Sequence, residues 1–357
     1  MNVRKIVSIV WAALLPACWV QAQEPPALPC AKGDVKCASA ERVKSPARTK
    51  SYWSAALAKP LDQRFGTAPD ELLVFLNLDN IADEIPNSPR AAVLPVEFAK
   101  DVRDAIAGLP AEVKSAVDKK LAGIYFVKDL GGTGYTDYAH AYGIGRDAGY
   151  VVLDMDVLQA QTANAWATWK ESTPFRSDPG AKLEAVIETA AQDNRKNAIQ
   201  YILLHELGHI LSIGENIHPV WDKPPNNDPN LDRFPFAHLS WEILQAENRY
   251  ASRFDAAFPE RKDVVYYFGA RLDGMAMFSI YEKLERTNFP TLYAAARPGD
   301  DFAESFASYV HTVMMKRPWE IRLYRQGKLT RTIGLCWPDK RCAEKRRILE
   351  TLLRIKP

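Results

Sequence analysis

The stretch that most constrains this chain is QYILLHELGHILSIG, residues 200–214. Ile202, Leu203, Leu204, Ile210 and Leu211 would bury a helix there on both flanks of a polar centre. In that centre His205 and His209 stand four apart, so on a helix they lie one above the other on one face. Two imidazoles so placed can aim at one point. Glu206 sits beside that point and can reach a water bound there. This is the logic of His-Glu-x-x-His: two metal ligands and a general base from one helical turn. Gly208 has no side chain, so another element can come close. The bland alternative is a pair of core-edge histidines on an amphipathic helix.

A catalytic zinc typically keeps three protein ligands and one water, so a third ligand is expected elsewhere. Six residues beyond His209 the chain has Glu215, not histidine, and His218 falls past the helix end expected at Gly214. Downstream, in PTLYAAARPGDDFAESFASYVHTVM (290–314), Glu304 lies in a helix-period run of Phe302, Ala303, Phe306, Ala307 and Val310. An unpaired buried carboxylate is costly, and a metal would explain one here. Otherwise Glu304 faces solvent at a helix edge.

HELGH followed by the FAESFA glutamate resembles the gluzincin metallopeptidases. TLYAAARPGDDFAESFA is most similar to the matching part of the anthrax lethal factor type protease domain and its bacterial relatives, where a tyrosine precedes the glutamate ligand. The resemblance covers about residues 195–315 at best, through these two motifs. It implies one Zn2+ per chain, held by His205, His209 and Glu304. It also implies Glu206 as base and Tyr293 as donor to a developing oxyanion, with Tyr309 and His311 as weaker candidates for that donor. Two departures stand out. The ligand gap is 95 residues, longer than in thermolysin-like enzymes, and Ser308 stands where those carry aspartate. Asp300, Asp301, Ser308 and His311 are therefore the candidates for supporting a zinc histidine.

The N-terminus reads as an export signal: Arg4 and Lys5, an apolar run from Ile6 to Val20, then Val20-Gln21-Ala22 as a cleavage site. A lipid anchor on Cys18 is the rival. Four cysteines remain after cleavage, in the close pairs Cys30/Cys37 and Cys336/Cys342. An oxidising compartment, periplasmic or extracellular, favours disulfides there. Local pairing is the simplest of three possible connectivities. A net charge of +2 and the lack of a dense basic block argue against nucleic acid. No later stretch is apolar enough to span a membrane.

Four segments are expected: a signal peptide (1–22), an extended lead-in (23–60), a zincin-like catalytic domain (61–330) and a C-terminal helical tail with a cysteine pair (331–357). The lead-in is a candidate cover for the cleft. The class is α+β, with a small mixed sheet beside the active-site helix and a helical C-terminal half. Pro110 should divide residues 94–123 into two short helices. GIYFVKDL and GYVVLDMDVL read as strands, the second as a sheet edge for an extended substrate. GGTGYTDYAHAYGIGRDAG, with six glycines, reads as a loop. A helix is expected from about Leu183 to Ile213, interrupted near Asp193-Asn194 and ended by Gly214. SWEILQAENRYASRF, FGARLDGMAMFSIYEKLER and DDFAESFASYVHTVMMK read as helical. PNNDPNLD (225–232) reads as a surface loop rather than a calcium site. The function implied is an exported zinc endopeptidase acting on proteins or peptides. The alternative is a cell-envelope binding or assembly factor with a zinc-stabilised fold and no turnover.

Overall fold

The computed structural model describes residues 26–140, 146–220, 224–225 and 230–355. The signal segment, Cys18 and residues 226–229 of PNNDPNLD lie outside the described residues. In chain order, α1 (Val35–Arg42) and α2 (Ser54–Leu57) precede β1 (Phe65–Thr67), α3 (Asp70–Ala82) and β2 (Arg90–Ala91). Then come α4 (Val96–Ala107), α5 (Ala111–Val117), β3 (Leu121–Lys128), β4 (Gly134–His140) and β5 (Arg146–Asp154). α6 (Met155–Gln159), α7 (Ala163–Ser172) and β6 (Ala181–Val186) lead to α8 (Arg195–Ser212), which carries the HELGH motif. The second half holds α9 (Pro235–His238), β7 (Trp241–Leu244), β8 (Arg249–Ser252), α10 (Met277–Leu284) and α11 (Pro298–Tyr309). β9 (Glu320–Arg325), β10 (Lys328–Gly334) and α12 (Ala343–Leu352) close it. The class is mixed helix and sheet, compatible with α+β.

The main sheet runs β1-β3-β5-β4, with β2 also on β3. β1, β3 and β5 are parallel, and β4 returns antiparallel to β5. β5 is thus interior, and the edge beside α8 is β4; the expectation that GYVVLDMDVL forms an edge is corrected. β5 also ends at Asp154, whose carboxylate accepts the Asp156 and Val157 amides and starts α6. β4 itself corrects the glycine-loop expectation. The glycines frame it, but Tyr135, Thr136 and Tyr138 suit a pleated, half-buried strand.

Of the 18 residues of α8, 15 are buried, all but Arg195, Lys196 and His209. A helix apolar on every side must be central, and α8 is: β4 and β5 lie along it, with α4, α7 and α11 around the rest. Asn194 caps it by accepting the Asn197 amide, and Gly214 leaves it at φ 75°. The residues just before it are not helical. Ala181–Val186 is β6, paired antiparallel with β9, because a partner strand overrides the helix-forming composition of AKLEAV. SWEILQAENRYASRF is likewise a hairpin, β7–β8, turned through Asn248 in the left-handed region. The second half is therefore not purely helical. α4 and α5 stand either side of Pro110 as expected.

The lead-in is not extended over its described part. Cys30–Cys37 forms a disulfide, Asp34 caps α1, and Arg42 on α1 reaches Asp79 of α3 and Asp83 just past its end at 2.8 Å each. Trp53 is buried against Tyr125 and Tyr150 of the sheet. Cys336–Cys342 is the second disulfide, so both pairs are local. β10 crosses residue 330 to pair with β9, so the tail is built into the preceding segment. No helix among the described residues is long and apolar enough to cross a membrane.

Candidate metal centre

α8 and α11 pack so closely that a Cβ at Gly208 would lie 2.7 Å from the Ala303 Cα. That approach sets which turn of α11 faces which histidine. His205 Nδ1 meets Glu304 Oε1 at 2.8 Å, and His209 Nε2 lies 3.7 Å from Asp300 Oδ1. Ligand atoms of His205, His209 and Asp300 all lie within 4.8 Å of one another. Donors at zinc bonding distances of about 2.1 Å sit roughly 3.4 Å apart around a tetrahedral ion. Two imidazoles and a carboxylate of this spacing fit such an ion with a small closure.

The expected third ligand, Glu304, is not part of this cluster; the carboxylate grouped with the two histidines is that of Asp300, one helical turn earlier. Glu304 is committed elsewhere: Oε1 also takes Lys170 Nζ at 2.8 Å, and Oε2 takes the Thr291 hydroxyl at 2.7 Å. Burial would raise its pKa, but Lys170 and His205 overcome that and hold it well below the carboxylate range. Its bond to Nδ1 orients the His205 ring and leaves Nε2 for a metal. Behind it, Lys170 also pairs with Glu171 at 3.3 Å, and Tyr266 and Tyr281 donate to Glu171. Burial raises the pKa of Glu171, so Glu304, held ionised by Lys170 and His205, is the carboxylate that stands behind the His205 ring.

Glu206 is buried beside the triad, and the Thr136 hydroxyl of β4 donates to its Oε2 at 2.6 Å. Burial raises its pKa, against the opposing pull of His205 and Thr136. A Cβ on Gly134 would lie 2.5 Å from Glu206 Oε1, so the strand comes this close to Glu206 only because glycine stands there. Burial pushes His209 well below its ordinary value, keeping it neutral and ligand-ready. It raises Asp300. Tyr293 stacks on His205 with centroids 5.3 Å apart and lies under the Lys170 ammonium. Burial keeps its phenol protonated, with the Asp300 charge adding to the effect.

These groups open on a cavity of about 410 Å³, lined by Gly134, Thr136, Tyr293, Arg297 and the motif residues among others. No described residue of the lead-in lines it. The other expected supports point away. Asp301 is fully buried against Lys345 of α12 at 2.5 Å and accepts the Trp241 indole. Ser308 bonds back to the Glu304 carbonyl. His311 donates Nε2–H to the carbonyls of Ile187 and Pro318. Tyr309 reaches Glu350. His218 meets the Pro219 carbonyl and stands outside the triad. Lys170, Thr136 and Thr291 were missed. Nothing local marks them, since each acts across a tertiary contact. Compared with known proteins, the chain matches no family model, no curated protein and no solved structure.

Proposed function

We propose that this chain is an exported zinc-dependent endopeptidase. The observation that carries the reading is the convergence of His205, His209 and Asp300 with Glu206 in one cavity, along a sheet edge. Zinc held by those three residues would supply the positive charge that polarises a scissile carbonyl and acidifies a water. Glu206, fixed by Thr136, takes the proton of the attacking water and passes it to the leaving amine. Tyr293, kept protonated, donates to the developing oxyanion. Gly134, Tyr135 and Thr136 of β4 line the cavity, and an extended substrate backbone would run beside that part of the strand.

Zinc content and peptide hydrolysis test the reading together. One zinc per chain is expected in the wild type and a sharp loss in Asp300→Ala. Glu206→Gln should keep the zinc and lose nearly all hydrolysis; full activity in that variant ends the mechanism. Unchanged function in cells carrying Glu206→Gln would favour a binding factor instead.

A further inference from the structure

We infer that the cleft selects a carboxylate beside the bond it cleaves, and that Arg297 reads it. This rests on the peptidase reading and names its substrate class. Of the ionisable groups lining the cavity, His205, Glu206, His209 and Asp300 form the triad and its base. Tyr135, Tyr250 and Tyr293 carry phenols that burial raises above their ordinary value, so they are neutral at neutral pH. Arg297 is what remains: a full charge in the wall, exposed, with no described carboxylate within 4.0 Å. Asp300 feels it electrostatically, from beyond that distance.

Arg297 precedes α11, a 12-residue helix with no side-chain cap, and Pro298, Gly299 and Asp300 of its first turn line the same cavity. Asp300 and Asp301 already occupy that first turn, so the guanidinium is the positive group on this wall. The neighbouring wall is aromatic and apolar: Pro219, Val220, Trp241 and Tyr250. Such a wall holds an aliphatic stem while the fork of Arg297 takes the carboxylate at its end. An aspartate or glutamate side chain offers that group, and so does a peptide's own C-terminus. If Arg297 merely offset the Asp300 charge, its loss would weaken every peptide alike.

The test uses the zinc-loaded Glu206→Gln protein and end-blocked octapeptides that differ only in Glu or Gln beside the central bond. A neutral octapeptide with a free C-terminus completes the set, and calorimetry reads binding. A carboxylate peptide should bind about tenfold to a hundredfold tighter than its neutral twin. Arg297→Gln should bring that ratio near one, and Arg297→Glu should turn it towards lysine peptides. Whether the internal glutamate or the free terminus carries the gain identifies the source. Equal binding of all peptides, or a gain that survives Arg297→Gln, overturns the inference. Hydrolysis by the wild type separates the two failures. Cleavage without carboxylate preference removes this inference alone, whereas cleavage of no peptide removes the peptidase reading beneath it.

Discussion

Gly208→Ala tests how the site is assembled. The new Cβ would stand 2.7 Å from the Ala303 Cα, 3.2 Å from its carbonyl oxygen and 3.3 Å from its Cβ. Ordinary contact begins near 3.4 Å, so α8 and α11 must part by about 0.7 Å. Overpacking of this kind costs about 1–3 kcal/mol, while alanine regains about 1 kcal/mol of helix propensity over glycine. The net cost is about 0–2 kcal/mol, a fall in Tm of a few degrees. The site should suffer more than the fold. The same separation loosens His205 from Glu304 and moves Asp300 from His209, and losing such an outer contact costs about 10–100-fold in metal affinity. Chelator competition for zinc, beside thermal unfolding of the metal-free protein, measures both. Adding Ala303→Gly removes the Cβ contact but not the Cα one, so only partial recovery is expected. A Gly208→Ala protein that is more stable than wild type and binds zinc equally tightly would refute the close approach as the organising contact.

Further outcomes follow from other contacts. Glu304→Gln should keep one zinc per chain but bind it about 10–100-fold more weakly, unlike the stoichiometric loss in Asp300→Ala; equal loss in both would restore Glu304 as a ligand. Lys170→Met leaves Glu304 and Glu171 buried without their cation and should cost about 3–5 kcal/mol in urea unfolding. Gly134→Ala collides with the end of the Glu206 side chain and presses on Leu153 Cδ2 at 3.2 Å, both of them side-chain ends, so it should fold and take up zinc while hydrolysis falls steeply. His311 is held neutral by burial, its pKa lowered to about 4. The unfolded chain therefore binds its proton first, and stability should be full above about pH 6.5 and fall between there and pH 4, by about 3 kcal/mol. In His311→Gln that part of the pH dependence of unfolding should vanish.

What the sequence made legible was local. The spacing of His205 and His209, the cap at Asn194 and the break at Pro110 each depend on neighbours within a turn or two. Elements that depend on a distant partner were misread. AKLEAV favours a helix by composition but becomes β6 once β9 lies beside it. SWEILQAENRYASRF becomes a hairpin through one left-handed residue, Asn248. The grouping of Asp300, rather than Glu304, with the two histidines rests on a distant contact too. Both lie on one face of α11, and only the seating of Ala303 against Gly208 decides which turn meets His209. The buried ammonium of Lys170, 134 residues from Glu304 in sequence, carries no local signal either.

The ion pair between Asp301 and Lys345 also bears on the order in which the molecule can mature. Both side chains are fully buried, and Asp301 adjoins the residue that completes the triad. Until Lys345 has been synthesised and α12 has docked, seating this turn of α11 would bury an uncompensated carboxylate, which is strongly unfavourable. The helix that brings Asp300 to the two histidines therefore has reason to stay unsettled while the chain is being made. If the cleft hydrolyses peptides as proposed, a centre assembled so late would have little opportunity to act inside the compartment that builds it.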